Sequence, residues 1–247
     1  GHVRTSRDRR TLEIVHQHRL RNTLTNGNQV TVTVRPQPRW RLSASIMAHP
    51  VRQAAAEELQ ASLDRPTPII YDTNPVPSDD RAQRWATGRA AWEAHDPTAD
   101  AHIVLRGDAL VSEAFLAGLE VALDQFHTAE FLVSPYTGTG RPNQRACVRG
   151  LANADQHGHA SLPLRSLYWG VAVCAPVHTI ADMLTWCSNP TRAGYINQDK
   201  NIGEYYRDIL GWRTWYTVPS LVEHRGLPSL LGHDEGPPRR AHRWHPG

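Results

Sequence analysis

A few short stretches hold side chains whose types and spacing suit a charged, nucleotide-like substrate: His49 with Arg52, Asp72, Arg106-Gly107-Asp108, and residues 197–226, which carry Asp199 and His224. An arginine on a loop pairs bidentately with phosphate, and an aspartate after a strand can accept hydrogen bonds from a base or ribose. In residues 197–226, Asn197 or Asp199 can cap a helix whose Ile202, Tyr205, Tyr206, Ile209 and Leu210 fall on one face. Gly211 stops that helix, residues 212–218 alternate as a half-buried strand, Pro219 closes the strand, and His224 follows on a loop beside Arg225. Asp199 and His224, far apart in sequence, can therefore border one pocket. The structural alternative is a capping aspartate and a surface histidine, and for Asp72 and Asn74 a turn ahead of Pro75.

The elements that must position these groups read as strand, helix, strand. Residues 42–48 form a short buried-type strand, 49–52 a loop, 53–63 a helix with Ala54, Leu59 and Leu63 as apolar contacts, and 68–71 a second strand running into Asp72. A βαβ unit places its loops at the carboxyl ends of the strands, where open α/β sheets bind nucleotides. Ser78 or Asp79 is expected to cap a helix over 81–94, with Trp85 and Trp92 in the core and Arg84 and Arg89 on other faces. Ile103, Val104 and Leu105 then form a buried strand, with Asp108 just beyond its end. A helix over 112–126 capped by Ser112, a strand over 131–133, a strand over 167–173 and a helix over 178–186 follow. Residues 137–158, rich in Gly, Asn and Arg, read as an irregular loop that covers a donor or guides an acceptor, with no Gly-Lys-Ser/Thr of a P-loop.

A chain of 247 residues is long enough for a large α/β domain with a proper core. No apolar run approaches the roughly 20 residues that span a bilayer, and no leader opens the chain, so a soluble, cytoplasmic protein without membrane contact is expected. Cys147, Cys174 and Cys187 form no CxxC pair, and Cys147 with His157 and His159 lacks a second pair at zinc-finger spacing. The formal net charge is +3, and Lys200 is the lone lysine. Arginines crowd both ends: Arg4, Arg7, Arg9, Arg10, Arg19 and Arg21 at the front, Arg239, Arg240 and Arg243 at the back. Such ends either touch a polyanion or are solvated tails.

The order carboxylate, helix, Gly, aromatic strand, with Tyr216-x-x-Pro219-Ser220-x-Val222-x-His224 at its end, resembles the C-terminal half of glycosyltransferases with the GT-A fold. The resemblance extends over residues 42–231, with the elements in the expected order. It implies a GT-A-like, Rossmann-like α/β mixed sheet flanked by helices, which transfers a hexosyl or pentosyl group from a nucleoside-diphosphate sugar such as a UDP-sugar. Asp199 matches the general base of an inverting transfer, a retaining mechanism leaving it to orient the acceptor. His49, Arg52 and Asp72 match the nucleotide loops, and Gly170 beside Trp169 matches a place where the sugar approaches the backbone. The family's acidic pair that holds Mn²⁺ or Mg²⁺ is degenerate here, with arginine where the first acid would stand. Either Asp108 binds metal together with His224 and water, or Arg106 supplies the positive charge to the leaving diphosphate.

The resemblance thus divides the chain into an N-terminal extension over 1–39 (helix 11–21, an Asn26-Gly27 turn, strand 29–35, linker 35–38), a glycosyltransferase domain over 40–235, and a basic tail over 236–247. Arginine-rich ends suit a phosphate backbone, and some GT-A-like enzymes of bacterial viruses glycosylate hydroxymethylated pyrimidines. DNA is accordingly the expected acceptor, in the cytoplasm of a host cell if the protein is viral, with no obligate protein partner. A glycan or protein acceptor is the alternative, as is a non-catalytic nucleic-acid-binding protein that keeps the nucleotide-binding fold.

Overall fold

The computed structural model describes residues 40–77, 80–113, 115–140, 144–193, 197–227, 230 and 240–244. The expected extension over 1–39, and Ser78 and Asp79, lie outside the described residues. Strand β1 (Leu42–Ala48) runs through a short 3₁₀ turn (Pro50–Arg52) into helix α1 (Gln53–Ala61) and returns as β2 (Ile69–Tyr71). Helix α2 (Arg81–Glu93) leads to β3 (Ala101–Arg106) and the short β4 (Ala109–Val111). Helix α3 (Phe115–Asp124), β5 (Leu132–Ser134), α4 (Gln144–His157), β6 (Ser161–Leu164) and β7 (Ala172–Pro176) follow. The chain continues as α5 (Ile180–Cys187), α6 (Pro190–Ala193), α7 (Gln198–Glu204), a wider π turn (Tyr205–Ile209), β8 (Thr214–Thr217) and β9 (Val222–His224).

The large sheet has seven strands in the order β2-β1-β3-β7-β5-β8-β6. β1 pairs in parallel with β2 and β3, β7 runs antiparallel between β3 and β5, β5 is parallel to β8, and β6 is antiparallel to β8. The expected class, a Rossmann-like mixed α/β sheet flanked by helices, is what the chain adopts. β1, β2, β3, β5 and β8 therefore all end on one edge. β4 and β9 form a separate ribbon that brings Ala109 opposite His224.

Strand alternation decides which side each residue packs. Ala44, Ile46, Ile103 and Leu105 share a core with Leu59 of α1 and Leu119 of α3. Val104, Val173 and Ala175 share the opposite core with Trp92 of α2, Met183 of α5 and Ile202 of α7. With both faces covered, the central strands are largely apolar, and each fully buried Leu or Ile stabilises the fold by roughly 1.5–3 kcal/mol.

Several sequence expectations are corrected. Much of the stretch 137–158, read as an irregular loop, is the 14-residue helix α4. Its buried Cys147, Leu151 and Ala154 recur at helical spacing, and a third core sets Cys147 and Leu151 with Leu162, Leu164 and Tyr216. β6 escaped notice because Pro163 interrupts it, which an edge strand tolerates. The strand expected over 167–173 is displaced: residues 167–170 have no regular structure, and β7 begins at Ala172. His224 ends a strand instead of lying on a loop. Asp80 caps α2, its carboxylate accepting from the amides of Ala82 and Gln83 at 2.9 and 3.3 Å. For α3, the Ser112 carbonyl accepts from the Phe115 amide at 3.0 Å. Ile209 is 55% exposed, because the helix widens after Glu204 and rotates that residue outward. The Leu210 amide reaches back to Tyr205 O at 3.3 Å, and Gly211, at φ 74°, lets the Trp212 amide close on Tyr206 O at 2.8 Å.

Candidate active site

The turn after β3 organises the site. Arg106 continues the alternation of His102 and Val104, toward the layer of α2, α5 and α7. The Gly107 amide donates to Met47 O at 2.9 Å, and a Cβ at Gly107 would sit 2.7 Å from the Ala48 Cβ. Only glycine fits so tight a passage, and it lets the side chains of Arg106 and Asp108 part toward different neighbours.

Arg106 meets Asp199, in the first turn of α7. Its Nη2 donates to Asp199 Oδ1 at 2.9 Å and its Nε to Gly170 O at 2.9 Å, while the Gly170 amide donates to Asp199 Oδ2 at 3.0 Å. The three residues close a ring of charge-assisted bonds. A Cβ at Gly170 would lie 2.2 Å from Asp199 Oδ1, so the bare α-carbon expected to admit a sugar is faced by this carboxylate. The negative charge of Asp199 pushes the Arg106 pKa further above the usual guanidinium range, against its desolvation, with Asp108 adding to the effect. A small cleft beside the pair is lined by Met47, Trp92, Gln198 and Ile202.

On the other side, Asp108 Oδ2 accepts from Nη1 of Arg52, the residue that opens into α1, and faces His224 Nε2 at 3.6 Å. Their side chains are little exposed, 14% for Arg52, 8% for Asp108 and 12% for His224. His224 Nδ1 accepts from the Gly226 amide at 3.1 Å, so the neutral ring carries its proton on Nε2, toward Asp108. The Arg225 amide donates to Asp108 O at 2.9 Å, tying β9 to the same turn.

Asp199 and His224, expected to border one pocket, belong to these two separate clusters on either side of Arg106-Gly107-Asp108. His49 Nδ1 accepts from the Val51 amide at 3.2 Å and so caps the turn that delivers Arg52. Asp72 Oδ1 accepts from the Asn74 amide at 2.9 Å and Gln83 Nε2 at 3.0 Å, the turn of its structural alternative. Trp169 lies edge-on to Tyr136 and Tyr216, with ring centroids 6.4 and 5.6 Å apart. Arg89 pairs with Glu93 along α2 at 2.7 Å.

Two residues that sequence reasoning missed support the site. A Cβ at Gly88 would sit 2.5 Å from Gln198 Oε1, so Gly88 makes room for the start of α7. Glu223 is buried and accepts from the His224 and Ala241 amides at 2.7 and 2.9 Å, fastening the segment 240–244 beside β9. Arg243 of that segment pairs with Asp155 of α4. A three-residue strand with Glu223 at its centre gives no spacing signal that the carboxylate is buried.

The donor set of Asp108 and His224 does not fit a resident divalent ion. Mg²⁺ and Mn²⁺ take about six mostly oxygen ligands, whereas the Asp108 oxygen that faces His224 is the one bound to a guanidinium. Among the described residues no group of three or more His, Cys, Asp or Glu side chains is arranged to hold a metal. The thiols are buried, which raises Cys147 to about 11 and Cys187 to about 12 and Cys174 further still, so none is a ready thiolate.

No protein-family model matches this sequence, and no curated protein does. Among solved structures the chain is similar to one described as "Crystal structure of a glycosyltransferase involved in the glycosylation of the major capsid of PBCV-1", at 11% identity and a TM-score of 0.47, covering 78% of this chain and 97% of that one. A likeness of that degree carries no argument, and the functional reading rests on the site. No helix among the described residues is long and apolar enough to cross a membrane.

Proposed function

We propose that the protein is a glycosyltransferase that moves a sugar from a nucleoside-diphosphate donor to an acceptor hydroxyl. The observation that carries this reading is the pairing of Arg106 with Asp199, and of Arg52 with Asp108, on either side of one strand end at the carboxyl edge of the sheet. An acid–base carboxylate and fixed cationic groups then stand together where open α/β sheets take nucleotides. The Asp72 loop, at the end of β2 on the far side of β1, is the place for the nucleoside, and half-buried Trp169, next to Gly170, borders the sugar.

In an inverting transfer the acceptor oxygen forms a bond to the anomeric carbon as the bond to the diphosphate breaks. The electron pair of the broken bond goes to the diphosphate oxygen, and the acceptor proton goes to Asp199. Here Asp199 Oδ1 is held by Arg106, so turning Arg106 toward the diphosphate bares the oxygen that takes the proton. The acceptor we favour is a hydroxymethylated pyrimidine in DNA, supported by the arginines near both ends of the chain.

Release of free nucleoside diphosphate from a mixed set of sugar donors, with hydroxymethylcytosine DNA, hydroxymethyluracil DNA, glycans and proteins as acceptors, tests the reading. Asp199→Asn should keep nucleotide binding and lower turnover by about two to four orders of magnitude. Turnover within threefold of the parent removes Asp199 as the base. Transfer to glycans or proteins, with none to either DNA, replaces the acceptor and leaves the reaction class standing.

A further inference from the structure

Resting on the glycosyltransferase reading, we propose that Arg52 and Arg106 together neutralise the departing diphosphate, and that Asp108 holds Arg52 in place instead of ligating a divalent ion. The carboxylate expected to bind metal is already the partner of a cation. Arg52 Nη1 sits on Asp108 Oδ2, and His224 Nε2 approaches the same oxygen at 3.6 Å. A divalent ion at that oxygen must displace a guanidinium or lie against it, and like charges at such range repel strongly in a site whose side chains are this little exposed.

The backbone fixes the arrangement. Arg52 follows the 3₁₀ turn capped by His49, and the Arg52 amide donates to His49 O at 2.8 Å. Asp108 is anchored through its own carbonyl by the Arg225 amide at 2.9 Å, and His224 is set opposite Ala109 by the β4–β9 pairing. Arg106 extends from the end of the adjacent strand, its Nε and Nη2 engaged by Gly170 O and Asp199. The two guanidinium groups thus lie at the ends of neighbouring parallel strands, β1 and β3, where diphosphate oxygens gain negative charge as the sugar leaves. Arg52, fixed beforehand on Asp108, stabilises that charge without reorganising, and Arg106 adds its charge as it turns from Asp199, the service a metal performs elsewhere. Asp108 and His224 act on the reaction through Arg52 and are positioning residues.

The test is calorimetric titration of the full chain with UDP and with GDP in EDTA, in Mg²⁺ and in Mn²⁺, run beside turnover of the matching sugar donors. The expected result is a Kd for the bound nucleotide that changes less than about threefold across the three conditions, and turnover that persists in EDTA. Arg52→Gln should weaken binding at least about tenfold in all three, with Arg52→Lys recovering part of the loss because charge is kept and the planar fork is not. Asp108→Asn should weaken binding by no more than Arg52→Gln does, and by the same factor in EDTA, Mg²⁺ and Mn²⁺, since it loosens the hold on Arg52 and removes no metal ligand. Binding or turnover that collapses in EDTA and returns with Mn²⁺, or an Asp108→Asn variant that loses metal-dependent binding alone, overturns the proposal and leaves the glycosyltransferase reading intact. No binding of either nucleotide in any condition also overturns it. Metal-independent nucleotide binding without turnover of any donor supports the arginine clamp and counts instead against the reaction class.

Discussion

The two sides of the β3 terminus hold the same kind of pair, an arginine against an aspartate, in different surroundings. Arg106 and Asp199 keep side-chain exposures of 37% and 26%, whereas Arg52 and Asp108 fall to 14% and 8%. Water screens the first pair and lets a ligand compete for either partner. The second is a fixture, because a charge that has lost its water needs its counter-charge to stay folded. The chain therefore separates a pair that can open during a reaction from one that holds its shape, on opposite sides of a single glycine.

The widest gap between the pairs is expected in stability. Asp108→Ala takes the carboxylate from a mostly buried guanidinium and should cost about 3–5 kcal/mol, read as a lower urea midpoint at unchanged slope. A loss below about 1 kcal/mol would place Arg52 in water and erase the contrast.

The contrast was only partly legible in the sequence. Residues 42–48, 69–71 and 101–106 announce themselves through apolar runs and turn residues, so the sheet edge and Arg106-Gly107-Asp108 could be placed. Which partner each charged group takes depends on contacts between residues 56 positions apart for Arg52 with Asp108 and 93 apart for Arg106 with Asp199, and local periodicity holds no record of those. Helix α4 was hidden for a different reason: its apolar face is narrow, and the Gly and Asn residues in it argue locally for a loop that tertiary packing overrides.

The next effect is on pH dependence along the Arg106 face of the same strand. His102 is fully buried, with Nδ1 2.8 Å from Ser43 Oγ and Nε2 3.1 Å from both Ser45 Oγ and Ala91 O, and His95 and Trp92 pack beside it. Burial, the largest cause, lowers its pKa from 6.5 to about 4. Between those values the unfolded chain binds the proton and the folded one does not, so stability falls as pH drops from about 6.5 toward 4 and is flat above. Its share is roughly 3 kcal/mol at most. The difference in unfolding free energy between the parent and His102→Asn should follow that window, and a difference independent of pH would mean His102 protonates freely while folded.

Gly170→Ala sharpens the comparison from the open side. The new methyl would need the space of Asp199 Oδ1, 2.2 Å away, so the carboxylate must leave both the Gly170 amide and Arg106. A misplacement of about an ångström in a base costs up to about a hundredfold in rate, and a loss of tenfold to a hundredfold in turnover is expected with nucleotide binding kept. Gly140→Ala, with nothing within 4 Å of the new Cβ, is the control that should leave turnover unchanged.

The smallest effect is the one that most directly separates the two pairs. Arg106→Gln removes a cation of the open pair, yet Asp199 retains the Gly170 amide at 3.0 Å on Oδ2 and water can solvate Oδ1. Exposed or half-exposed ion pairs contribute about 0–1 kcal/mol, so the variant should unfold within about 1 kcal/mol of the parent. Its turnover should nonetheless fall by about tenfold or more, since the cation aimed at the leaving group is gone. Denaturation and turnover measured on one preparation give both numbers. A stability loss as large as that of Asp108→Ala would make the Arg106–Asp199 pair a structural fixture as well, and Asp199 would then be anchored too firmly to act as a base.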